Sequence, residues 1–163
     1  MTIVSDATSL VLLAKASLLE IFAERNKIIV PKLVHQEVIK GKDKGREDSM
    51  LLERLVAEKQ LSVMSVNQHI KNKFEKLFNL KGGELEVIAF ATRKRHTVLT
   101  DDKKCINAAK ALEINFITSL DVILALYKKG VISKEKAIQS VEVLEEYGWY
   151  AKDLIKSYKE AIK

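Results

Sequence analysis

Short apolar runs alternate with longer stretches of helical spacing along most of the chain. Ile3-Val4, Ile28-Ile29-Val30, Val98-Leu99 and Phe116-Ile117 are brief and largely β-branched or aromatic. They predict strands over residues 2–5, 27–30, 97–100 and 115–117, with one more over 61–66. The intervening spacing predicts helices over 8–15, 17–25, 31–40, 48–59, 68–78, 84–93, 103–112 and 120–129, and after Gly130 two more over 133–147 and 151–162. Ser17, with Glu20 three residues on, reads as a capping box. Pro31 suits the start of its helix. The charged stretch 41–48 reads as a loop. Gly82-Gly83 breaks the chain, and Glu84 then opens a helix that is apolar on nearly every side and therefore expected to be buried.

Strands alternating with helices imply an α/β fold with a central parallel sheet covered on both faces. Such sheets bind ligands beyond the carboxyl ends of their strands. Acids stand at two of those ends: Asp6 after the first strand, and Asp101-Asp102 after a later one. There is no internal repeat, low-complexity tract or linker, and 163 residues is an ordinary size for one domain, so residues 1–163 are expected to form a single domain.

Composition narrows the setting. The lone cysteine, Cys105, cannot form an internal disulfide, which fits a reducing compartment. No apolar run approaches bilayer length, and the first residues carry neither a basic leader nor a secretory core. The expected location is the cytoplasm, without a membrane partner. The net charge of +6 favours polyanions. Basic runs comprise Lys40, Lys42, Lys44 and Arg46; Lys71, Lys73 and Lys76; and Arg93, Lys94 and Arg95. Any one of them reads most simply as a solvated face, so the charge alone does not identify a nucleic-acid binder.

The acids each have a bland role available. Asp6 suits a helix N-cap. Glu37 lies beside the apolar stripe of Leu33, Val34 and Val38, as edge residues often do. Glu84 in a first turn complements the helix dipole. One of Asp101 and Asp102 could cap the helix that follows. The combination is harder to dismiss. Carboxylates that converge from several element ends raise one another's pKa, and hard cations such as magnesium and manganese remove that penalty. Inside a basic protein, such a cluster suits metal-assisted phosphodiester hydrolysis, with Lys and Arg holding flanking phosphates.

In order along the chain stand Ser5-Asp6-Ala7-Thr8-Ser9-Leu10, then Val30-Pro31 leading to Glu37-Val38, then Gly83-Glu84-Leu85-Glu86-Val87-Ile88-Ala89-Phe90-Ala91, then Leu99-Thr100-Asp101-Asp102. This ordered set resembles the PIN domain, in particular small prokaryotic members related to the VapC toxins whose third acid opens a Gly-Glu-x-Glu helix. Phe116-Ile117-Thr118-Ser119 and the segment 124–132 resemble the same branch. The resemblance spans essentially the whole chain. It implies a three-layer α/β/α sandwich and a Mg2+- or Mn2+-dependent endonuclease, usually acting on RNA, with DNA as a second substrate class. It also implies a small antitoxin partner and a homodimer. Residue by residue, it assigns the metal site to Asp6, Glu37, Glu84 and Asp102, supported by Thr8 or Ser9, with Asp101, Glu86 and Thr8 as further candidates. The third acid is Asp in the commonest toxin pattern; here it is Glu84.

Other residues read as structural. Asp121 suits a first-turn capping partner for Thr118. His35, His69 and His96 lack a metal-binding spacing. Tyr147, Trp149 and Tyr150 suit packing of the last helices or a dimer interface before base stacking. A haloacid-dehalogenase-like phosphatase needs a second Asp where Thr8 stands. A receiver domain needs a phospho-acceptor Asp and a Lys that cannot be placed. The remaining alternative to a nuclease is a non-catalytic PIN-like module that binds nucleic acid or protein; the presence of all four acids favours the nuclease.

Overall fold

A computed structural model of the protein describes residues 1–40 and 46–163. The predicted loop at 41–48, with Lys42 and Lys44, lies outside the described residues over 41–45. The strands are β1 (Thr2–Ser5), β2 (Lys27–Pro31), β3 (Leu61–Met64), β4 (Thr97–Leu99) and β5 (Phe116–Ile117). The helices are α1 (Ala7–Lys15), α2 (Leu19–Ala23), α3 (Lys32–Ile39), α4 (Glu47–Ala57), α5 (Gln68–Phe78), α6 (Gly82–Lys94), α7 (Lys103–Ala111), α8 (Ser119–Lys128), α9 (Lys134–Tyr147) and α10 (Lys152–Ala161).

All five strands are parallel and run in the order β3-β2-β1-β4-β5. With helices on both faces, this is the α/β/α architecture that the alternating pattern predicts. Two strands, β2 and β3, step outward from β1 in one direction; the chain then crosses back and places β4 on the other side of β1. The order therefore reverses between β1 and β4, where Ser5 pairs with Leu99. That switch point is where a parallel sheet opens a crevice at its carboxyl edge. Among the described residues, no helix is long and apolar enough to cross a membrane.

Helix α6 is the most deeply placed helix around the sheet. Leu85, Glu86, Val87, Ile88, Ala89 and Ala91 are all buried, as its all-round apolar pattern predicts. It packs against α3, α5 and α7 as well as β1, β2 and β4. Glu86 would be costly in such a place without partners. It has two: the Leu33 backbone N–H, near the start of α3, donates to Oε2 at 2.9 Å, and Lys71 Nζ of α5 donates to Oε1 at 3.0 Å. Three helices are thus tied to one carboxylate.

The structure corrects the sequence reading at several element ends. Ser17 does not cap α2: the N-cap is Leu18, with no side-chain bond. Ser17 instead adopts φ 55° and closes α1. Its N–H donates to Ala14 O at 2.9 Å, and the Leu18 N–H donates to Leu13 O at 2.9 Å. This double closure ordinarily uses glycine, so serine there hid it. Gly82-Gly83 does not break the chain before α6 but forms its first residues. The strand read at 61–66 ends at Met64, and α4 starts at Glu47.

Glu86→Ala leaves Lys71 and the Leu33 N–H unpartnered, and is expected to cost about 3 kcal/mol in urea-induced unfolding. Glu86→Gln, which keeps one acceptor, should cost clearly less. Equal losses for the two variants would show that the ion pair does not anchor the helix.

Candidate active site

Asp6 and Thr100 lie side by side, one residue beyond the paired ends of β1 and β4. The Asp6 N–H donates to Leu99 O at 3.1 Å, extending the sheet by one bond. The Asp6 side chain is 3% exposed. Its Oδ1 accepts the Ser9 N–H at 2.8 Å, which makes Asp6 the N-cap of α1. Its Oδ2 accepts the Thr100 hydroxyl at 2.5 Å. Burial pushes the Asp6 carboxyl up to about 6, against the hydrogen bonds from Thr100 and Ser9, with a smaller upward push from Asp101.

Asp101 and Asp102 diverge. Asp102 caps α7, its Oδ1 accepting the Cys105 N–H at 2.9 Å, and its own N–H donates to Thr100 Oγ1 at 3.1 Å. Thr100 thereby bridges Asp6 and Asp102. Asp101 turns toward hydroxyls. Its Oδ2 accepts Ser9 Oγ at 2.6 Å and Ser119 Oγ at 2.5 Å. Its Oδ1 accepts the Ser119 N–H at 3.1 Å and the Tyr150 hydroxyl at 2.7 Å. Tyr150 stays protonated and donating, because burial and the Asp101 charge push its phenol up.

Glu84 stands in the first turn of α6, partly buried. Its carboxyl is raised by burial first and then by Asp102, opposed by Lys104, with a further push from Glu37. Glu37 projects from α3 to the start of α6, where Oε1 accepts the Gly83 N–H at 2.9 Å. A Cβ at Gly83 would meet Glu37 Oε2 at 2.8 Å and Val34 Cγ2 at 2.9 Å. The glycine pair is what lets the Glu37 carboxylate reach that helix end. Cys105 lies fully buried beneath this group; after burial itself, Asp6, Asp102 and Glu84 are what push its thiol up.

The structure thus brings Asp6, Glu84 and Asp102 into one electrostatic neighbourhood, with Glu37 on its rim and Asp101 alongside. The bland roles also hold: Asp6 and Asp102 are caps, and each keeps lone pairs beyond those the caps use. Glu86 points elsewhere, to Lys71 and Leu33. Thr8 is exposed and lines a groove with Glu37, while its neighbour Ser9 touches both Asp6 and Asp101. Asp121 does complete a capping box with Thr118. Thr100 and Ser119 were given no site role from sequence, and Tyr150 was read as packing or a dimer interface. Thr100 and Ser119 sit at strand ends, a usable signal; Tyr150 is 49 positions from Asp101 and gave none.

An oxygen-only donor set, in which burial raises Asp6 and burial together with Asp102 and Glu37 raises Glu84, suits a hard divalent cation in kind. The fit is one of donor chemistry: among the described residues, no group of three or more His, Cys, Asp or Glu side chains is drawn close enough to hold an ion.

A doubly wound parallel sheet with carboxylates gathered at its switch point defines the general class. More specifically, the chain belongs to the PIN domain family, whose model matches residues 2–163. No curated protein matches it. Among solved structures it is similar to VapBC2 from Rickettsia felis bound to a DNA fragment from their promoter, with 14% identity and TM-score 0.52 over 72% of this chain and 98% of that one. It is also similar to a PilT N-terminus domain protein from the hyperthermophilic archaeon Sulfolobus solfataricus P2, with 19% identity and TM-score 0.44 over 73% and 87%.

The raised Asp6 carboxyl gives a pH signature. Its unfolded value is 3.8 and its folded value about 6, so the stability it contributes is fully present below pH 3.8 and lost as pH rises through about 6. That loss is on the order of 3 kcal/mol. Asp6→Asn cannot ionise. Unfolded by urea in chelator, the variant should match or fall below the wild type at pH 4 and overtake it toward pH 7. A stability difference that does not change with pH would show that Asp6 is not raised.

Proposed function

We propose that the chain is a divalent-metal-dependent endonuclease acting on RNA, with residues 1–163 as one domain and Asp6, Glu37, Glu84 and Asp102 as its catalytic, metal-holding acids. The observation that supports this reading is that Asp6 and Asp102 follow the paired ends of β1 and β4 and share the Thr100 hydroxyl, while burial raises Asp6, and burial with Asp102 raises Glu84. Membership of the PIN domain family supports it. Bound there, Mg2+ or Mn2+ would supply charge neutralisation at the phosphodiester and a water of lowered pKa.

The chain's own residues set the stage. Asp6 and Asp102 are held by the helix ends they cap and by Thr100 between them, so each presents its remaining lone pairs in a fixed direction. Glu84, to which no described donor is bonded, is the adaptable member. Asp102 is preferred to Asp101 as a holder, because both Asp101 oxygens already accept hydroxyl or amide donors. Asp101, Thr8 and Glu86 then rank as supporting groups. The proposal extends to a toxin-type setting with a small antitoxin partner, for which the fold-level likeness to VapBC2 is the support, and to a homodimer in the cytoplasm.

Pure protein incubated with labelled RNA and Mn2+ should cleave it, and chelator should stop the cleavage. Asp6→Asn should lower the rate by more than about a hundredfold, since even residues behind metal ligands cost 10–100-fold. RNA binding without cleavage, or cleavage indifferent to chelator, would replace this reading with the non-catalytic module.

A further inference from the structure

Tyr150 is held in place by its own segment. Between α9 and α10 the chain runs Gly148-Trp149-Tyr150-Ala151. Trp149 points fully outward, at 102% exposure, while Tyr150 turns inward. Gly148 permits that turn: a Cβ there would meet Tyr150 Cε2 at 2.3 Å and Leu144 O at 2.8 Å. The helix that follows is fastened by buried Ile155 and Ile162, by Lys159 Nζ to Glu145 at 2.8 Å, and by the Tyr127 hydroxyl donating to Lys163 O at 2.9 Å. A tyrosine of that helix, Tyr158, donates to Asp121 Oδ1, in the capping box of α8.

From the Tyr150 hydroxyl a continuous path leads to the acids. It reaches Asp101 Oδ1 at 2.7 Å; Asp101 Oδ2 accepts Ser9 Oγ at 2.6 Å; and the Ser9 N–H holds Asp6 Oδ1 at 2.8 Å. Asp101 without the tyrosine keeps only the serine donors. Its charge would then be less satisfied beside Asp6, and free to turn.

We propose that Tyr150 is a positioning residue of the acid cluster: its hydroxyl fixes Asp101 and, through Ser9, Asp6, so that the segment after α9 completes a metal site built at the far end of the sequence. This rests on the nuclease reading above. Outer-shell partners of metal ligands commonly cost 10–100-fold in affinity or activity when lost. Tyr150 stands two bonds beyond Ser9, the direct partner of Asp6, which puts its effect near the lower end of that range.

The test uses the full-length chain as wild type, Tyr150→Phe and Tyr158→Phe. Mn2+ binding is followed by electron paramagnetic resonance, RNA cleavage across a Mn2+ titration, and amide exchange of Ser9 and Ser119 without metal. Tyr150→Phe is expected to weaken Mn2+ binding by about tenfold, shift the cleavage midpoint to match, and speed exchange at both serines. Tyr158→Phe, which loses a bond to a helix cap, should lower thermal stability but leave Mn2+ affinity within about twofold. A Tyr150→Phe chain that binds Mn2+ like wild type overturns the proposal, as does an equal loss in both variants, which would indicate general loosening of the last helix. A wild type that binds no Mn2+ overturns the nuclease reading and this inference together. Unchanged serine exchange in Tyr150→Phe counts against the tyrosine alone.

Discussion

At the carboxyl edge of β1, a carboxylate stands where water is almost excluded and a second acid follows the neighbouring strand. Burying one charge without compensation is expensive, and gathering several of like sign compounds the cost. The arrangement of this end of the molecule can be understood as the answer to that problem. Two helix ends are turned to offer their N–H groups to Asp6 and Asp102. One threonine hydroxyl is shared between the two strand ends. Asp101 is turned aside into a nest of serine and tyrosine hydroxyls. Under the proposed function, a divalent cation would complement the carboxylate oxygens that these donors leave open.

The same logic separates the acids into kinds. Glu86 is as deeply buried as Asp6, yet a lysine and a helix N–H satisfy it, and its place is architectural. Glu84 has no bonded donor among the described residues and feels Asp102 and Glu37. Glu37 reaches the start of α6 only because glycine stands there. Distance in sequence says nothing of this division; partners do.

Much of the fold was legible. Period and length picked out five strands and the intervening helices, and the alternation implied a parallel sheet. The location of Asp6 and the Asp101-Asp102 pair at strand ends was equally readable, because short apolar runs that end in an acid are distinctive. Helix ends were less so. Ser17 has the chemistry of an N-cap but serves in a left-handed closure of the preceding helix, a role decided by the two backbone bonds it completes. Tyr150 was read as packing, since an aromatic between two helices carries no mark of a hydroxyl that reaches an acid 49 positions earlier. Glu86, two residues from Glu84, was kept as a further candidate for the site; the packing of α3 and α5 around α6 is what gives it partners of its own.

The central claim is that the acids at the β1/β4 switch point share a divalent cation. It is tested most directly by growing crystals with Mn2+ and recording anomalous diffraction above and below the manganese edge. The account predicts a peak bounded by the carboxylates of Asp6, Glu84 and Asp102, with Asp101 still bonded to its hydroxyls. A peak elsewhere on the molecule, or none at saturating Mn2+, would contradict it.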